Sequence, residues 1–375
     1  MIIELPNTRT REISRKIDEL HEERGESATG RVLTLLIATN DDELEHALEV
    51  ANAASREHPC RVIAIVPQSG VAATSESSDT ATATTATATA ATTSAAAPTA
   101  PTSAEDATAE RKTGLSTSQL AAIDPNGGMA ADLAADPLTS NLDAEVRFGA
   151  DAGAGEIIVL RPRGGLVHHP DTLVIPLLVP DAPVVAWWPT EAPANPSKDL
   201  LGAMARSRIT DAMRSSNPLR TIEDLRRNRS PKNIDMSWTR LTVWRAMLAT
   251  MLDQPPHLPI ISARVTGPKD FLPMDMLAAW LRLKLGVSVA IEDDPNADAV
   301  TGVYLTRADG VLSLERPSTQ KAIAVISTPG QTPQSISVPA RTLEECLSEE
   351  LRRLDPDEVY AEVLGRGWDL IHPAR

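Results

Sequence analysis

The sequence predicts an α/β protein: a mostly parallel N-terminal sheet with flanking helices, a helical bridge, and a C-terminal α+β domain. The first observation is that an apolar run at 32–39 (VLTLLIAT) precedes a helical pattern beginning at Asn40 and a second apolar run at Cys60–Val66. Strand, helix and strand at this spacing form a βαβ unit. The second is that three strand-like runs follow one another in 299–328, without helices between them. The third is the length of 375 residues, which fits two domains.

We divide the chain into an N-terminal α/β domain at 1–190, a helical bridge at 191–254 and a C-terminal α+β domain at 255–375. Within the first domain, the stretch at about 69–113 consists largely of alternating Ala and Thr. Side chains this small bury too little apolar surface to offset the entropy of ordering the chain. We therefore expect a disordered insertion there, followed by a short helix within 115–138.

The remaining elements follow from hydrophobic spacing and turn residues. In the first domain we expect a helix at 9–23 with Ile13, Ile17 and Leu20 on its apolar face, a helix from Asn40 to Arg56, and strands at 141–149, 156–162 and 183–188. The bridge is expected to hold helices at 200–214, 218–229 and 235–252. The last domain should contain strands at 259–267, 287–293, 299–307, 311–316 and 321–328, and helices at 273–285, 342–354 and 357–368.

Composition excludes several functional classes. The net charge of −15 disfavours nucleic acid and anionic membranes as partners. No apolar stretch is long enough to span a bilayer, and the N-terminus lacks the pattern of a signal peptide. The chain contains two cysteines, Cys60 and Cys346, too few for a disulfide framework. We therefore expect a protein of the cytoplasm.

Motifs for cofactor or metal chemistry are missing from the sequence. No G-x-G-x-x-G follows a strand and no G-x-x-x-x-G-K-[ST] occurs, and the glycines within 151–155 fit a turn better than a phosphate site. His168 and His169 are adjacent and point in different directions in a regular element, so they predict surface histidines rather than a metal site. We expect no cofactor, no metal and no catalytic residue.

Cys60 is the one candidate for thiol chemistry. It follows His58 and precedes Arg61, and neighbouring positive charge favours a thiolate. A redox role for Cys60 is therefore one interpretation. The favoured one is that Cys60 is a small apolar residue at the start of a buried strand. Cys346 lies on a helix rich in glutamate, which opposes its ionisation.

A basic, tryptophan-bearing segment in the middle of the chain is the strongest candidate for a binding surface. Its basic residues are Arg206, Arg208, Arg214, Arg220, Arg226, Arg227, Arg229, Lys232, Arg240 and Arg245, with Trp238 and Trp244 among them. Arginine binds carboxylates through two parallel hydrogen bonds, and tryptophan anchors protein interfaces. We select Arg206, Arg208, Arg214, Trp238, Arg240, Trp244 and Arg245 as partner-binding candidates. A solvated helix face with tryptophans in the core is an equal alternative, and the six-residue spacing of Trp238 and Trp244 predicts that one of them is core.

Several motifs in the same order along the chain resemble one family. They are VLTLLIAT at 32–39, SREHPCRVIAIV at 55–66, DAPVVAWWP at 181–189, SRITDA at 207–212, WTRLTVWRAML at 238–248 with DQPP at 253–256, and LAAWLRLKLGV at 277–287. Together they resemble the OpcA family, the glucose-6-phosphate dehydrogenase assembly proteins of actinobacteria and cyanobacteria. The resemblance runs from near residue 1 to about 370, without the Ala/Thr insertion.

The resemblance implies a non-catalytic partner that promotes assembly or activity of glucose-6-phosphate dehydrogenase. That enzyme stands at the entry of the oxidative pentose phosphate pathway, which supplies NADPH. The alternative is an enzyme or metabolite sensor that binds a sugar phosphate or nucleotide at the strand ends of the N-terminal sheet, where open α/β sheets hold ligands.

Overall fold

The computed structural model describes residues 1–24, 32–68, 140–148, 156–317 and 322–373. These belong to one compact unit formed by Met1–Ser69 and Leu138–Arg375. The predicted insertion at 69–113, the helix within 115–138 and the glycine turn at 151–155 lie outside the described residues.

An eight-stranded sheet forms the first half of this unit. Its strands are β1 (Ile2–Leu5), β2 (Leu33–Ala38), β3 (Cys60–Ile65), β4 (Leu142–Arg147), β5 (Glu156–Pro162), β6 (Val184–Trp188), β7 (Ser207–Thr210) and β8 (Asn233–Asp235). Their spatial order is β1-β4-β5-β3-β2-β6-β7-β8. From β5 to β8 all neighbours are parallel, whereas β4 and β1 add two antiparallel pairings at one edge. The six parallel strands follow the 3-2-1-4-5-6 order of a doubly wound sheet.

Helices cover both faces of this sheet. Helix α1 (Thr10–Arg24) packs on the face that carries Leu36, and α2 (Asp41–Ser55) packs on the face that carries Leu35. Consecutive residues of β2 thus enter different cores, which explains its continuous apolar sequence. The predicted N-cap is confirmed, because the Asn40 Oδ1 accepts a hydrogen bond from the Glu43 backbone N–H at 3.0 Å.

The remaining helices of the first half are short. They are α3 (Pro170–Val174), α4 (Leu200–Met204), α5 (Pro218–Arg227), α6 (Met236–Thr239) and α7 (Thr242–Leu252). The predicted helix at 200–214 is wrong beyond Met204, because Ser207–Thr210 forms β7. Strand β8 was also missed, so two strands from the predicted helical bridge complete the first sheet. The domain limits at 190 and 254 stay predictions.

The second half contains a six-stranded sheet covered mainly on one face. Its strands are β9 (Ser262–Gly267), β10 (Ser288–Asp293), β11 (Gly302–Arg307), β12 (Gly310–Glu315), β13 (Ile323–Ser327) and β14 (Gln334–Ser337), in the order β10-β9-β11-β12-β13-β14. Helix α8 (Leu272–Leu285) supplies a set of fully buried side chains, including Leu277, Ala278 and Ala279. The burial of β9 alternates strictly, as expected for a sheet with one covered face.

The C-terminal helices join the two halves. They are α9 (Leu343–Arg352), α10 (Glu358–Glu362), a π-helical turn at Val363–Gly367, and α11 (Trp368–Ile371). Helix α9 packs against α2 of the first half, and the Ser348 hydroxyl donates a hydrogen bond to Glu57 at 2.6 Å. One continuous apolar core extends from the first sheet through α9 to the second sheet. The predicted α/β architecture with a C-terminal α+β part is confirmed.

Candidate functional site: the arginine- and tryptophan-rich junction

The two tryptophans of the segment 206–245 lie inside the protein. Trp238 is 1% exposed and Trp244 is 3% exposed. The sequence led us to expect one of them in the core, and both are there. The two tryptophans do not share a helix, because α6 ends at Thr239 and α7 begins at Thr242. The Trp238 Nε1–H donates a hydrogen bond to Asp357 at 2.8 Å, which links α6 to the start of α10.

Arg208 is also buried, at 7% exposure, because it lies on β7 and not on a helix. Its Nε donates to the Gly202 carbonyl oxygen at 2.6 Å, and its Nη1 donates to the Asn233 Oδ1 at 3.3 Å. Burial lowers the pKa of Arg208. The side chain therefore joins β7 to β8 and α4, and in this conformation it does not face solvent.

Arg240 forms a bidentate ion pair with a fully buried carboxylate. Its Nη1 and Nη2 donate to the two carboxylate oxygens of Asp211 at 2.8 and 2.7 Å. Burial raises the pKa of Asp211, and the charge of Arg240 opposes that shift. Such a pair is costly to break from either side, because the remaining charge would be buried without a partner.

The other three arginine candidates differ in exposure. The Arg214 Nη2 donates to Glu43 at 2.7 Å, and the Arg245 guanidinium lies 3.8 Å from the ring centroid of Trp238. Burial lowers the pKa of Arg245. The side chain of Arg206 is 59% exposed, with Asp355 at 3.9 Å as its ion-pair partner. Of the seven candidates, Arg206 alone is exposed, so a docking surface in this segment has to be built largely from other residues.

Acidic residues outside the seven candidates also hold the segment 206–245 in place. The Asp235 Oδ2 accepts hydrogen bonds from the Thr210 hydroxyl at 2.6 Å and from the Ala212 N–H at 2.9 Å. On α9, Glu350 accepts a hydrogen bond from the Thr239 hydroxyl at 2.6 Å. Burial raises the pKa of Glu350 to about 7. The signal in the sequence that could have identified these residues is the presence of acids among the arginines, Asp211 and Asp235 above all.

A cleft of about 510 Å³ lies at the reversal point of the doubly wound sheet, beside the carboxyl ends of β2 and β6. This is where such sheets hold ligands. Two residues, Thr39 and Asn40, join β2 to α2 without a glycine, and the first turn of α2 carries Asp41, Asp42 and Glu43. Among the described residues that line the cleft, none is basic. The negative charge at this helix N-terminus opposes phosphate binding.

The cysteines lack the environment of a reactive thiol. Both are buried and free, and burial raises the pKa of Cys60 to about 12 and that of Cys346 to about 11. Thiolate chemistry requires a lowered pKa and access to solvent. A redox role for Cys60 therefore has no support in its surroundings, and we predict that the two cysteines form no redox switch.

The described residues contain neither a cluster of possible metal ligands nor a helix that could span a membrane. His168 ends a 3₁₀ turn and His169 precedes α3. No group of three or more His, Cys, Asp or Glu side chains within the described ranges is arranged to hold a metal ion. Among the described helices, none is both long and apolar enough to cross a bilayer.

The fold and its cleft define a class: a doubly wound α/β protein whose cleft at the carboxyl ends of β2 and β6 is lined, among the described residues, by acidic but not by basic side chains. Comparison with known families makes the assignment more specific. A family model described as the glucose-6-phosphate dehydrogenase subunit N-terminal domain matches residues 127–227, and one described as the C-terminal domain of that subunit matches residues 231–364. The chain belongs to the OpcA family. No curated protein and no solved structure matches it.

Proposed function

We propose that the chain is a non-catalytic assembly factor and allosteric activator of glucose-6-phosphate dehydrogenase, acting in the cytoplasm at the entry of the oxidative pentose phosphate pathway. The observation that carries the proposal is the pair of family matches, both described as parts of a glucose-6-phosphate dehydrogenase subunit. They run over most of 127–364 in the expected order, so the match is not confined to one motif.

The chemistry of the described residues supports a binding role over a catalytic one. The polar groups of the junction are engaged with one another, as in the Arg240–Asp211 pair and the Trp238–Asp357 hydrogen bond. Both thiols are buried with raised pKa values. A general acid or nucleophile has to reach a substrate, and these groups are closed off by packing.

Activation requires the factor to bind the active conformation of the enzyme more tightly than the inactive one. A tenfold shift between two conformations needs about 1.4 kcal/mol of differential binding energy. A modest interface supplies such a difference without any chemistry by the factor itself. We place that interface on the exposed part of the segment 206–245.

The alternative, a sugar-phosphate or nucleotide enzyme or sensor, has one observation in its favour: the cleft at the reversal point of the first sheet. The acidic first turn of α2 disfavours both ligands, as does the lack of a basic side chain among the described residues that line the cleft. We therefore rank it second.

The test is copurification of the full chain with the dehydrogenase of the same cell, followed by enzyme kinetics with and without the chain. We expect a stable complex and a higher kcat/KM in its presence. The chain alone should show no turnover of glucose 6-phosphate with NADP. Turnover without the dehydrogenase would support the alternative, and a failure to associate would contradict the proposal.

A further inference from the structure

The second sheet ends on an edge strand that no described element covers. Strand β10 is outermost in its sheet and pairs, among the described strands, with β9 alone. Five of its six residues are exposed. The outer edge of a strand presents unpaired backbone N–H and C=O groups, which pair readily with a strand from another molecule. Strand β10 is therefore open to such pairing.

The other three edges of the two described sheets are short. Strands β1 and β14 have four residues each, and β8 has three. Pro6 follows β1 directly, and Pro333 directly precedes β14. Short strands and prolines are common means of keeping a sheet edge from pairing. Strand β10 has six residues and contains neither proline nor lysine, so it is the longest of the four edges and the least protected.

The backbone groups that point away from the sheet belong to alternate residues of β10. The Asp294 N–H, just beyond the strand, donates to the Gly267 carbonyl oxygen of β9 at 2.7 Å. Successive residues of a strand direct their N–H and C=O groups to opposite edges. Residues in phase with Asp294 therefore bond to β9, and the outward groups are those of Val289, Ile291 and Asp293.

Two of these outward residues carry apolar side chains on the covered face of the sheet. Val289 lies beside Ala263 and Ile291 lies beside Val265, and both residues of β9 are buried. Val289 packs against the main core, whereas Ile291 is 38% exposed. The apolar face is therefore incomplete at this edge, and a further strand with apolar residues at matching positions would extend it.

We propose that β10 pairs antiparallel with β10 of a second copy of this chain, so that the two six-stranded sheets form one continuous sheet. The two-fold axis passes through Ala290. In this register Val289 of each copy exchanges backbone hydrogen bonds with Ile291 of the other. Two-fold symmetry makes this apolar cross-strand pair twice, and such pairs are the unit of sheet stabilisation.

The side-chain pattern favours this register over the adjacent ones. With Ile291 on the axis, Val289 would face the carboxylate of Asp293 from the second copy. With Val289 on the axis, the pairing would run out of the strand after Ser288. With Ala290 on the axis, the whole range 288–292 is paired, and Glu292 faces the hydroxyl of Ser288. Strand β10 is therefore complementary to itself in one register.

The charges at the two ends of β10 are of opposite sign. Its C-terminal end carries Glu292, Asp293 and Asp294, and its N-terminal end follows the last turn of α8, which contains Arg282 and Lys284. Neither Asp293 nor Arg282 forms an ion pair with any residue that the structure describes. Antiparallel pairing brings the acidic end of each copy to the basic end of the other, and this charge complementarity favours a second copy as the occupant.

The first test is the oligomeric state of the full chain by sedimentation equilibrium at several protein concentrations. Ile291→Lys places a charge opposite Val289 of the second copy, and lysine is a residue that protects natural sheet edges. The matched control is Val311→Lys, because Val311 is 47% exposed on the inner strand β12. Melting temperatures verify that both variants are folded.

We expect a wild-type dimer that dissociates on dilution. Ile291→Lys should raise the dissociation constant of the dimer by about tenfold or more, and Val311→Lys should leave it within about twofold of the wild type. A wild type that is a monomer at every concentration would contradict the inference.

The second test examines the register. Ala290 would form a pair without mutual hydrogen bonds across the axis, in which the two Cα atoms lie about 4.5 Å apart. That distance permits a disulfide. Ala290→Cys should therefore crosslink two copies under mild oxidation, and Val311→Cys should not. The native Cys60 and Cys346 are buried, so they do not compete.

Two results would overturn the inference while leaving the proposed function intact. A dimer that persists in Ile291→Lys, with no crosslink through Ala290→Cys, would mean that the copies meet at another surface. A monomeric wild type whose binding to the dehydrogenase is lost in Ile291→Lys but kept in Val311→Lys would mean that the enzyme pairs with this edge. A dimer that behaves as expected but does not bind the dehydrogenase would support the inference and contradict the proposed function.

Discussion

The two sheets of this protein use the same residue types under different burial constraints. In β2, Leu35 and Leu36 are both fully buried, one against α2 and one against α1. In β9, Val265 is fully buried while its neighbour Arg264 is partly exposed and pairs with Glu292 at 2.7 Å. The first sheet is a central layer with helices on both faces, and the second has one open face. Cores on both sides make the first sheet the less tolerant of substitution.

The junction between the sheets adds a third environment, in which charges are buried. Asp211 and Arg240 lie beyond the end of β7, and Glu350 reaches the same region from α9. In this region buried polar side chains are stabilised by hydrogen bonds and ion pairs, so each of them is destabilised when its partner is removed. Substitutions in these three environments should therefore rank in a definite order.

The largest effect is expected at the buried ion pair. Arg240→Glu would place a second carboxylate beside that of Asp211, which is fully buried. Removing one partner of a buried pair costs about 3–5 kcal/mol, and charge reversal should reach at least the upper part of that range. Urea unfolding of the purified variant measures it. A variant that keeps the stability of the wild type would show that the Arg240–Asp211 pair does not form.

The next largest loss of stability is expected in the apolar cores, and it compares the two faces of the first sheet with the covered face of the second. Leu35→Ala and Leu36→Ala should each destabilise the protein by about 3 kcal/mol, because each leaves a cavity in a packed core. In the second sheet, Leu305→Ala should cost a similar amount, since Leu305 is fully buried on the covered face. The midpoints of urea unfolding measure the loss of stability in all three variants, provided that the m-value is unchanged. If Leu36→Ala were nearly neutral, the face of the first sheet that packs against α1 would not be a true core.

A pH-dependent effect is expected at Glu350. Its folded-state pKa of about 7 lies above the ordinary value of 4.5, so the folded protein retains a proton that the unfolded chain releases between these values. Its stabilising contribution is complete below about pH 4.5 and is lost as the pH rises through 7. A shift of this size corresponds to at most about 3 kcal/mol.

Glu350→Gln tests this directly, since the amide oxygen still accepts the hydrogen bond from Thr239 and has no proton to lose. Between pH 5 and 8, the wild type should lose stability relative to this variant, as measured by chemical unfolding at several pH values. Parallel pH profiles for the two proteins would mean that Glu350 titrates normally.

The smallest effect is expected on the open face of the second sheet. Arg264→Ala removes a partly exposed ion pair with Glu292 and a contact with the ring of Tyr304, whose centroid lies 4.0 Å from the guanidinium carbon. Exposed pairs contribute about 0–1 kcal/mol, so the loss should stay near or below 1 kcal/mol and decrease with salt. A loss as large as that of Leu305→Ala would show that this face is covered too.

Elements with strong local signals agree with the structure, whereas the short strands β7 and β8 were missed. The helix beginning after Asn40 and the strand at Cys60 were found because the cap and the apolar run are local signals. Strands β7 and β8 have four and three residues, too few for a period to be visible. A helix was expected over β7 because 200–214 has helical spacing, and no element was predicted at Asn233 and Ile234.

The candidate site was also predicted only in part from the sequence. The sequence located the arginines and tryptophans in one segment, but not which of them face solvent. Arg208 and Arg206 are two residues apart, yet one is buried on β7 and the other is exposed. The exposure of each side chain depends on which element packs against it, and the local sequence pattern does not predict that packing.

By itself, the sequence determined the α/β class, the capped helix after the first long strand, the two cysteines without a disulfide framework, and the motifs that carry the family resemblance. These properties depend on neighbouring residues or on composition, so local spacing is sufficient to predict them. The tertiary structure alone decided that Arg240 pairs with Asp211, that Trp238 bonds to Asp357, and that β10 forms an edge of the second sheet. Asp357 is 119 residues from Trp238 along the chain. The physical reason is that burial and charge pairing arise from contacts between elements distant in sequence, which form only when the sheets and the C-terminal helices pack together.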